Sequence, residues 1–294
     1  MKKIHVIIPA YHQNKSVSRS ISAALQSEQA EVHVLVVDND SDGRWMHETW
    51  SQEPRLEWLV NPGNPGMGAA LNQGIEKALN NGTDLVFILQ PGDCVEPLTL
   101  KILAGAAGVA GLATPRVVDS DGNIRDAGGS LDLLRSTARL KGRDDVKRES
   151  YEKAEKVSWC SLHGLMISAM ALQSGIRFHE DYFSSWEDVD FCVSMRKAGF
   201  SLIYAAQSIL RTDRIDPETG KSARQSIYYR TRNRFSLLMR HGNCRQKLAG
   251  FLYLVSAVLS RALLDTLRGN RLHGRARLIG LIDGMHQRMG PLRS

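Results

Sequence analysis

The strongest constraint in this chain is a rhythm: short β-branched runs alternate with helical patterns through its first ninety or so residues. "HVIIPAY" reads as a first strand, and Val17 to Leu25 has the apolar spacing of a helix. "VHVLVVDND" follows as a near-continuous apolar strand, the kind buried on both faces. "LEWLVNP" is a third strand. Gly66 to Leu79 then reads as a helix stopped by Asn80, Asn81 and Gly82 before the strand "DLVFILQ". Strands that alternate with helices predict an α/β domain built on a mostly parallel sheet flanked by helices.

The rhythm is lost near residue 108. "GLATPRVVDSDGNIRDAGG" predicts a strand and an Asp-Gly turn, and residues 141–156 form a charged loop. "VSWCSLHGLMISA" and "SLIYAAQSIL" predict further strands around a helix from Asp188 to Ala198. After Arg211 the pattern stays helical, with candidates in "YYRTRNRFSLLMRHG", "KLAGFLYLVSAVLSRALLDTLRG" and "ARLIGLIDGMHQRMG". The simplest division is a catalytic domain over residues 1–220 and a C-terminal helical extension over 221–294.

Charge follows the same division. Residues 221–294 hold 15 basic and 2 acidic side chains, leaving 23 basic and 29 acidic for residues 1–220. A mildly acidic domain with a basic tail suggests a tail that meets a polyanion or an anionic membrane surface. Leu248 to Ser260 is the longest apolar stretch, and its 13 residues fall short of the ~20 that span a bilayer. The run after Met1-Lys2-Lys3 is interrupted by His5 and Pro9 and has no cleavage site, so it reads as a strand and not a signal segment. Cys94, Cys160, Cys192 and Cys244 show no CxxC pair or metal-ligand spacing, which suits a reducing, cytoplasmic setting.

In an open α/β sheet, ligands bind beyond the carboxyl ends of the strands, and this chain gathers polar residues there. The first strand ends in Pro9-Ala10-Tyr11, the second in Asp38-Asn39-Asp40 and the fourth in Gln90-Pro91-Gly92-Asp93. "PAYHQN" holds no glycine, which argues against a dinucleotide site, and "NPGNPGMGAALNQG" has neither GxGxxG order nor the Lys-Ser/Thr of a phosphate loop. Asp38 to Asp40 reads as ordinary turn chemistry or as a grip on a ribose or base. With Asp93 at another strand end, a diphosphate held through magnesium or manganese is the chemically sensible ligand. "SSWEDVDF" reads equally as a helix start, with Ser185 as cap and Glu187, Asp188 and Asp190 in the first turn, or as an acid/base site. His163 reads equally as a satisfied half-buried histidine.

Taken in order, "HVIIPAY", "VLVVDNDSDG", "NPGNPGMGAALNQG", "VFILQPGDCVEP", "HGLMIS" and "FSSWEDVDFCVSMRKAGF" resemble the family 2 glycosyltransferases of the GT-A fold, in their bacterial rhamnosyltransferase-like branch. The resemblance covers roughly residues 3–235, and "RTRN" and "LIGLIDG" in the tail also look like that branch. It implies that Pro9, Ala10 and Tyr11 line the nucleobase pocket and that Asp38 contacts the base or ribose, with Asp40 beside it. Asn64, Gly66, Ala70 and Asn72 would border the nucleotide sugar. Asp93 falls at the metal position, Asp188 at the general base with Glu187 beside it, and His163, Gly164 and Trp186 on the acceptor side. The chain departs from the family in two places. Gln90 and Gly92 leave Asp93 as the lone carboxylate of the metal motif, and Arg211 stands where a histidine is common.

The resemblance implies an inverting transfer, with rhamnose from dTDP-L-rhamnose the expected donor and a UDP-hexose the alternative. The expected acceptor is a bacterial surface glycan or lipid-linked glycan, such as lipopolysaccharide core or O-antigen. Arg211, with Arg214 or Lys221, is expected to neutralise the leaving diphosphate. The expected location is cytoplasmic, peripheral at the inner face of the cytoplasmic membrane. Two readings from other classes remain: a nucleic-acid-binding protein, since 13 of the tail's 15 basic residues are arginine, and a non-catalytic nucleotide-sugar binder.

Overall fold

The computed structural model describes residues 1–11, 14–39, 49–142, 151–213 and 220–292. Asp40, Arg214 and most of the charged loop, residues 143–150, lie outside the described residues, and of Lys221 only the backbone is described. The α/β part runs β1 (Lys3–Ala10), α1 (Asn14–Leu25), β2 (Glu31–Asn39), β3 (Leu56–Asn61), α2 (Met67–Asn80), β4 (Leu85–Leu89), β5 (Cys94–Val95), α3 (Thr99–Ala110) and β6 (Gly111–Val118). It continues with β7 (Ile124–Asp126), the hairpin strands β8 (Gly129–Asp132) and β9 (Thr137–Leu140), β10 (Glu155–Lys156), β11 (Gly164–Ser168), α4 (Ala169–Leu172), α5 (Glu187–Lys197) and β12 (Ser201–Arg211). Three helices close the chain: α6 (Gly220–His241), α7 (Cys244–Leu267) and α8 (Arg271–Met285).

The main sheet has the order β10-β12-β6-β11-β4-β1-β2-β3. β1 pairs in parallel with both β2 and β4, β3 lies parallel to β2, and β6 lies parallel to β12. Antiparallel β11 joins the two halves, pairing with β4 on one side and β6 on the other. The period-2 alternation of each strand fills two cores. Ile7, Val86, Ile88 and Leu165 pack with α2 and α5 on one face, whereas Val6, Ile8, Phe87 and Met166 pack with α1 and α3 on the other. Burying each such side chain stabilises the fold by about 1.5–3 kcal/mol, which is why both faces must be covered.

In the tail, Phe235, Leu238, Leu254, Val258 and Leu281 form a small core of their own. Gly280 and Gly284 let α8 press against α6: a Cβ on Gly280 would lie 2.7 Å from the Tyr228 carbonyl oxygen, and one on Gly284 3.0 Å from that of Arg232. Helix α6 also faces the sheet domain, contributing Leu237 to the core around Phe191.

Helix α7 differs from the expectation for this stretch. Its 24 residues are long and apolar enough to cross a membrane, because Arg261 interrupts the apolar run without ending the helix. A capping box between Asn243 and Gln246 starts it. Leu248, Leu252, Leu259, Leu263 and Leu267 recur at helical spacing and are all exposed.

Candidate active site

The carboxyl ends of β1, β2 and β4 lie side by side in the sheet. Pro9 and Ala10 close β1 in register with Val37 and Asp38 of β2, and all four are buried; Tyr11, next in the chain, is 46% exposed. Beside them, helix α1 fixes the turn after β4: the Ser20 hydroxyl donates to the Asp93 carbonyl (2.8 Å) and accepts from the Gly92 amide (2.9 Å). Gly92 adopts φ +94°, which favours glycine over any side chain. Arg19, one residue back on α1, donates to the Gly92 carbonyl and pairs with Asp213.

The turn places Asp93 fully inside the protein, with Oδ2 2.9 Å from His163 Nδ1. Its Oδ1 is buried and has no hydrogen-bond partner among the described residues. An orphaned carboxylate oxygen next to a histidine suits a hard divalent cation. Among the described residues no group of three or more metal-ligating side chains assembles, so these two would leave most of the coordination sphere to phosphate oxygens and water. His163, expected on the acceptor side, is thus tied to Asp93, the residue expected to hold the metal.

The acid pair stands at the start of α5. Burial, reinforced by the Asp188 charge, pushes the Glu187 carboxyl up to about 8, and its Oε2 is buried with no partner among the described residues. Burial also pushes Asp188 up, to about 6, with the Asp126 charge adding to the rise and His163 opposing it. Asp188 Oδ1 accepts from the Val189 amide at 2.8 Å. The pair thus titrates in separated steps, leaving near neutrality one ionised carboxylate and one carboxylic acid.

Asp126 was missed in the sequence, where it passes as part of a turn. It is buried at the end of β7, accepts from the Gly128 amide at 2.7 Å, and is raised by burial, with Ser161 and His163 opposing the rise. Its charge favours the protonated form of Asp188, and the charge of His163 in turn favours ionised Asp126. Only the "DAGG" segment, an acid before three small residues, could have drawn attention to it.

Several expected donor contacts are spent elsewhere. Asn72 holds the segment before α5: its amide donates to the Phe178 carbonyl and Glu180 Oε1, and its oxygen accepts from the Phe178 amide, each at 2.9 Å. Ala70 is wholly buried in the core, because helical periodicity turns it toward the sheet with Ile75. Gly164 is a packing glycine, since a Cβ there would lie 2.6 Å from the Pro115 ring. Arg211 turns away to Glu96, which accepts from its Nη2 at 2.7 Å and its Nε at 3.1 Å. Ser185 does not cap α5; Trp186 occupies that position with φ 75° and no side-chain cap. Asn64 is exposed and accepts from the Gly66 amide at 2.9 Å, while Gly66 (φ +93°) abuts Phe183 in the segment before α5. Asp190 is structural: Tyr182 Oη (3.0 Å), Arg240 Nε (2.9 Å) and His241 Nε2 (2.8 Å) all meet its Oδ1.

This mostly parallel sheet, flanked by helices and joined by one antiparallel strand, is the GT-A glycosyltransferase fold. The family described as "Glycosyltransferase like family 2" matches residues 2–236, and the chain belongs to it. Two curated relatives, N-acetylglucosaminyl-diphospho-decaprenol L-rhamnosyltransferases from two Mycobacterium tuberculosis strains, are each 24% identical over 309 residues, 96% of this chain and 98% of theirs. Among solved structures, a GalNAc-T7 complex with UDP, GalNAc and Mn2+ superposes with TM-score 0.61 at 11% identity, covering 85% of this chain. This chain spans about half, 54%, of that larger one. The mannosyltransferase PcManGT from Pyrobaculum calidifontis, solved with GDP-Man and Mn2+, gives 0.57 at 13% identity over 97% of this chain and 87% of its own. The chain is a glycosyltransferase.

Proposed function

We propose that the enzyme transfers rhamnose from dTDP-L-rhamnose, with inversion, to a hydroxyl of a lipid-linked bacterial surface glycan of the lipopolysaccharide core or O-antigen type. The observation that carries the reaction is the divergence of Glu187 and Asp188 at the mouth of α5. Asp188, poised to ionise just below neutrality, takes the acceptor proton as the acceptor oxygen bonds to the anomeric carbon and the bond to phosphate breaks. Protonated Glu187 can donate a hydrogen bond that orients the acceptor. Pro9, Ala10, Tyr11 and Asp38 would bound the nucleoside. A bound magnesium or manganese ion, held by Asp93 with His163 beside it, would supply positive charge to the departing diphosphate. Arg19, beside Asp93 at the Gly92 carbonyl, is a second guanidinium that could assist if donor binding releases it from Asp213.

Sugar and acceptor are argued from the two curated relatives, whose printed names carry L-rhamnose and an N-acetylglucosaminyl-diphospho lipid. A lipid-linked acceptor places the reaction at the inner face of the cytoplasmic membrane. The exposed leucines of α7 would meet the bilayer and the tail's arginines its anionic headgroups. Exposed leucines between the arginines also favour lipid over nucleic acid as the partner of this charge. The test offers dTDP-L-rhamnose and UDP-hexoses to the purified enzyme with a GlcNAc-diphosphoryl-lipid, with and without chelator. Rhamnosyl product of inverted anomeric configuration is expected; turnover confined to a UDP-hexose would transfer the assignment to that donor class.

A further inference from the structure

The backbone ahead of the catalytic acids is unusual. Phe183 (φ 61°), Ser185 (φ 66°) and Trp186 (φ 75°) all sit in the left-handed region, and none is glycine. Side chains disfavour that conformation, so three within four residues persist only where the surroundings over-determine them.

The surroundings are two adjacent residues of α6. The Asn233 amide donates to the carbonyls of Tyr182 (3.2 Å), Ser184 (2.8 Å) and Ser185 (2.7 Å). Arg232, the largest fully buried side chain, donates to the Tyr182 carbonyl (2.8 Å) and the Gly290 carbonyl, and from Nε to Asn233 Oδ1 at 2.8 Å. Its guanidinium carbon lies 5.4 Å and 5.0 Å from the ring centroids of Tyr228 and Tyr229. On the far side, Phe183 stacks on Tyr229, its carbonyl accepts from the Met67 amide at 3.0 Å, and its ring abuts Gly66. One short loop therefore touches the Asn64–Met67 turn, leads directly into Glu187 and Asp188, and has its carbonyls gathered by the tail.

We propose that Arg232 and Asn233 are positioning residues that impose the left-handed path of Phe183–Trp186 and so set the placement of Trp186 and Asp188 against the bound donor and acceptor. The helical tail then completes the active site through these two residues of α6. This inference rests on Asp188 being the base.

Asn233→Ala removes the donor shared by three carbonyls while leaving every group that touches substrate chemically unchanged. Turnover is expected to fall about 100-fold, the scale of an ångström-sized misplacement of reacting groups, while dissociation of the nucleoside diphosphate measured by calorimetry changes less than threefold. Trp186 emission, isolated by subtraction of a Trp186→Phe background, is expected to shift. Leu254→Ala, in the tail's own core, serves as a control of similar thermal destabilisation. Equal loss of turnover in the two variants, or turnover within twofold of the parent in Asn233→Ala, overturns the proposal. If Asn233→Ala does not fold, Asn233→Gln, which displaces the same amide by one methylene, is read by the same criteria. Asp188→Asn is measured alongside: retained transfer there would remove the base assignment, whereas the Asn233 and Leu254 comparison tests the clamp by itself.

Discussion

Helix α5 carries the same functional group in two opposite settings within its first turn. At its mouth, burial outweighs the backbone hydrogen bonds that Glu187 and Asp188 accept and pushes both upward. On its inner side, Arg240, His241 and Tyr182 surround Asp190, and the hydrogen bond and charge of His241, with Arg240, pull its carboxyl down despite burial. A carboxylate that is fully paired is locked in one protonation state and serves the fold. One that is buried and unmatched keeps its proton equilibrium near neutrality and is available for chemistry.

The largest expected effect breaks the mouth of the helix. Asp188→Asn keeps shape and removes basicity, so transfer should drop by about 1,000-fold, within the usual range for a general base, while calorimetric nucleotide binding persists. Retained turnover would leave the two sides of α5 functionally alike. On the inner side, Asp190→Ala should cost about 3 kcal/mol in urea unfolding, because it strands the Arg240 and His241 groups it now satisfies. Loss of activity at unchanged stability would instead assign Asp190 to the chemistry.

A pH profile sharpens the same contrast. Because Asp188 must be ionised, kcat/KM should rise with pH along an acid limb centred near 6. Asp126→Asn should move that limb to lower pH by removing a neighbouring negative charge. The smallest effect is on stability. Glu187 binds its proton more tightly folded than unfolded, so its ionisation destabilises the fold as pH rises from its ordinary range near 4.5 through about 8. Glu187→Gln should therefore raise Tm by about 3 °C at pH 9, an advantage that fades below pH 4.5 in differential scanning calorimetry.

Elements governed by local pattern were legible in the sequence. Alternating strands and helices, the Asp-Gly turn before β7, the start of α5 and the three tail helices all follow from periodicity and turn residues within a few positions of one another. Side-chain direction was not legible. Asn72 and Arg211 carry suitable donors at suitable places in the order of motifs, yet one staples the segment at Phe178 and the other meets Glu96. Ser185 has the chemistry of a cap, but its own left-handed backbone puts Trp186 at the cap position. Asp126 and the Arg232–Asn233 pair act across 62 and about 50 residues of chain respectively, on Asp188 and on the loop before it. No local pattern records such a partnership.

By itself the sequence determined the layered α/β sheet, its family, and the presence of carboxylates at strand ends and at a helix start, since these depend on residue type and spacing. Tertiary structure alone decided which carboxylates are short of partners and which are satisfied, and that the basic tail grips the loop ahead of Glu187 and Asp188. The physical reason is that desolvation and hydrogen-bond satisfaction belong to the space around a group, and that space is filled by residues distant in the chain.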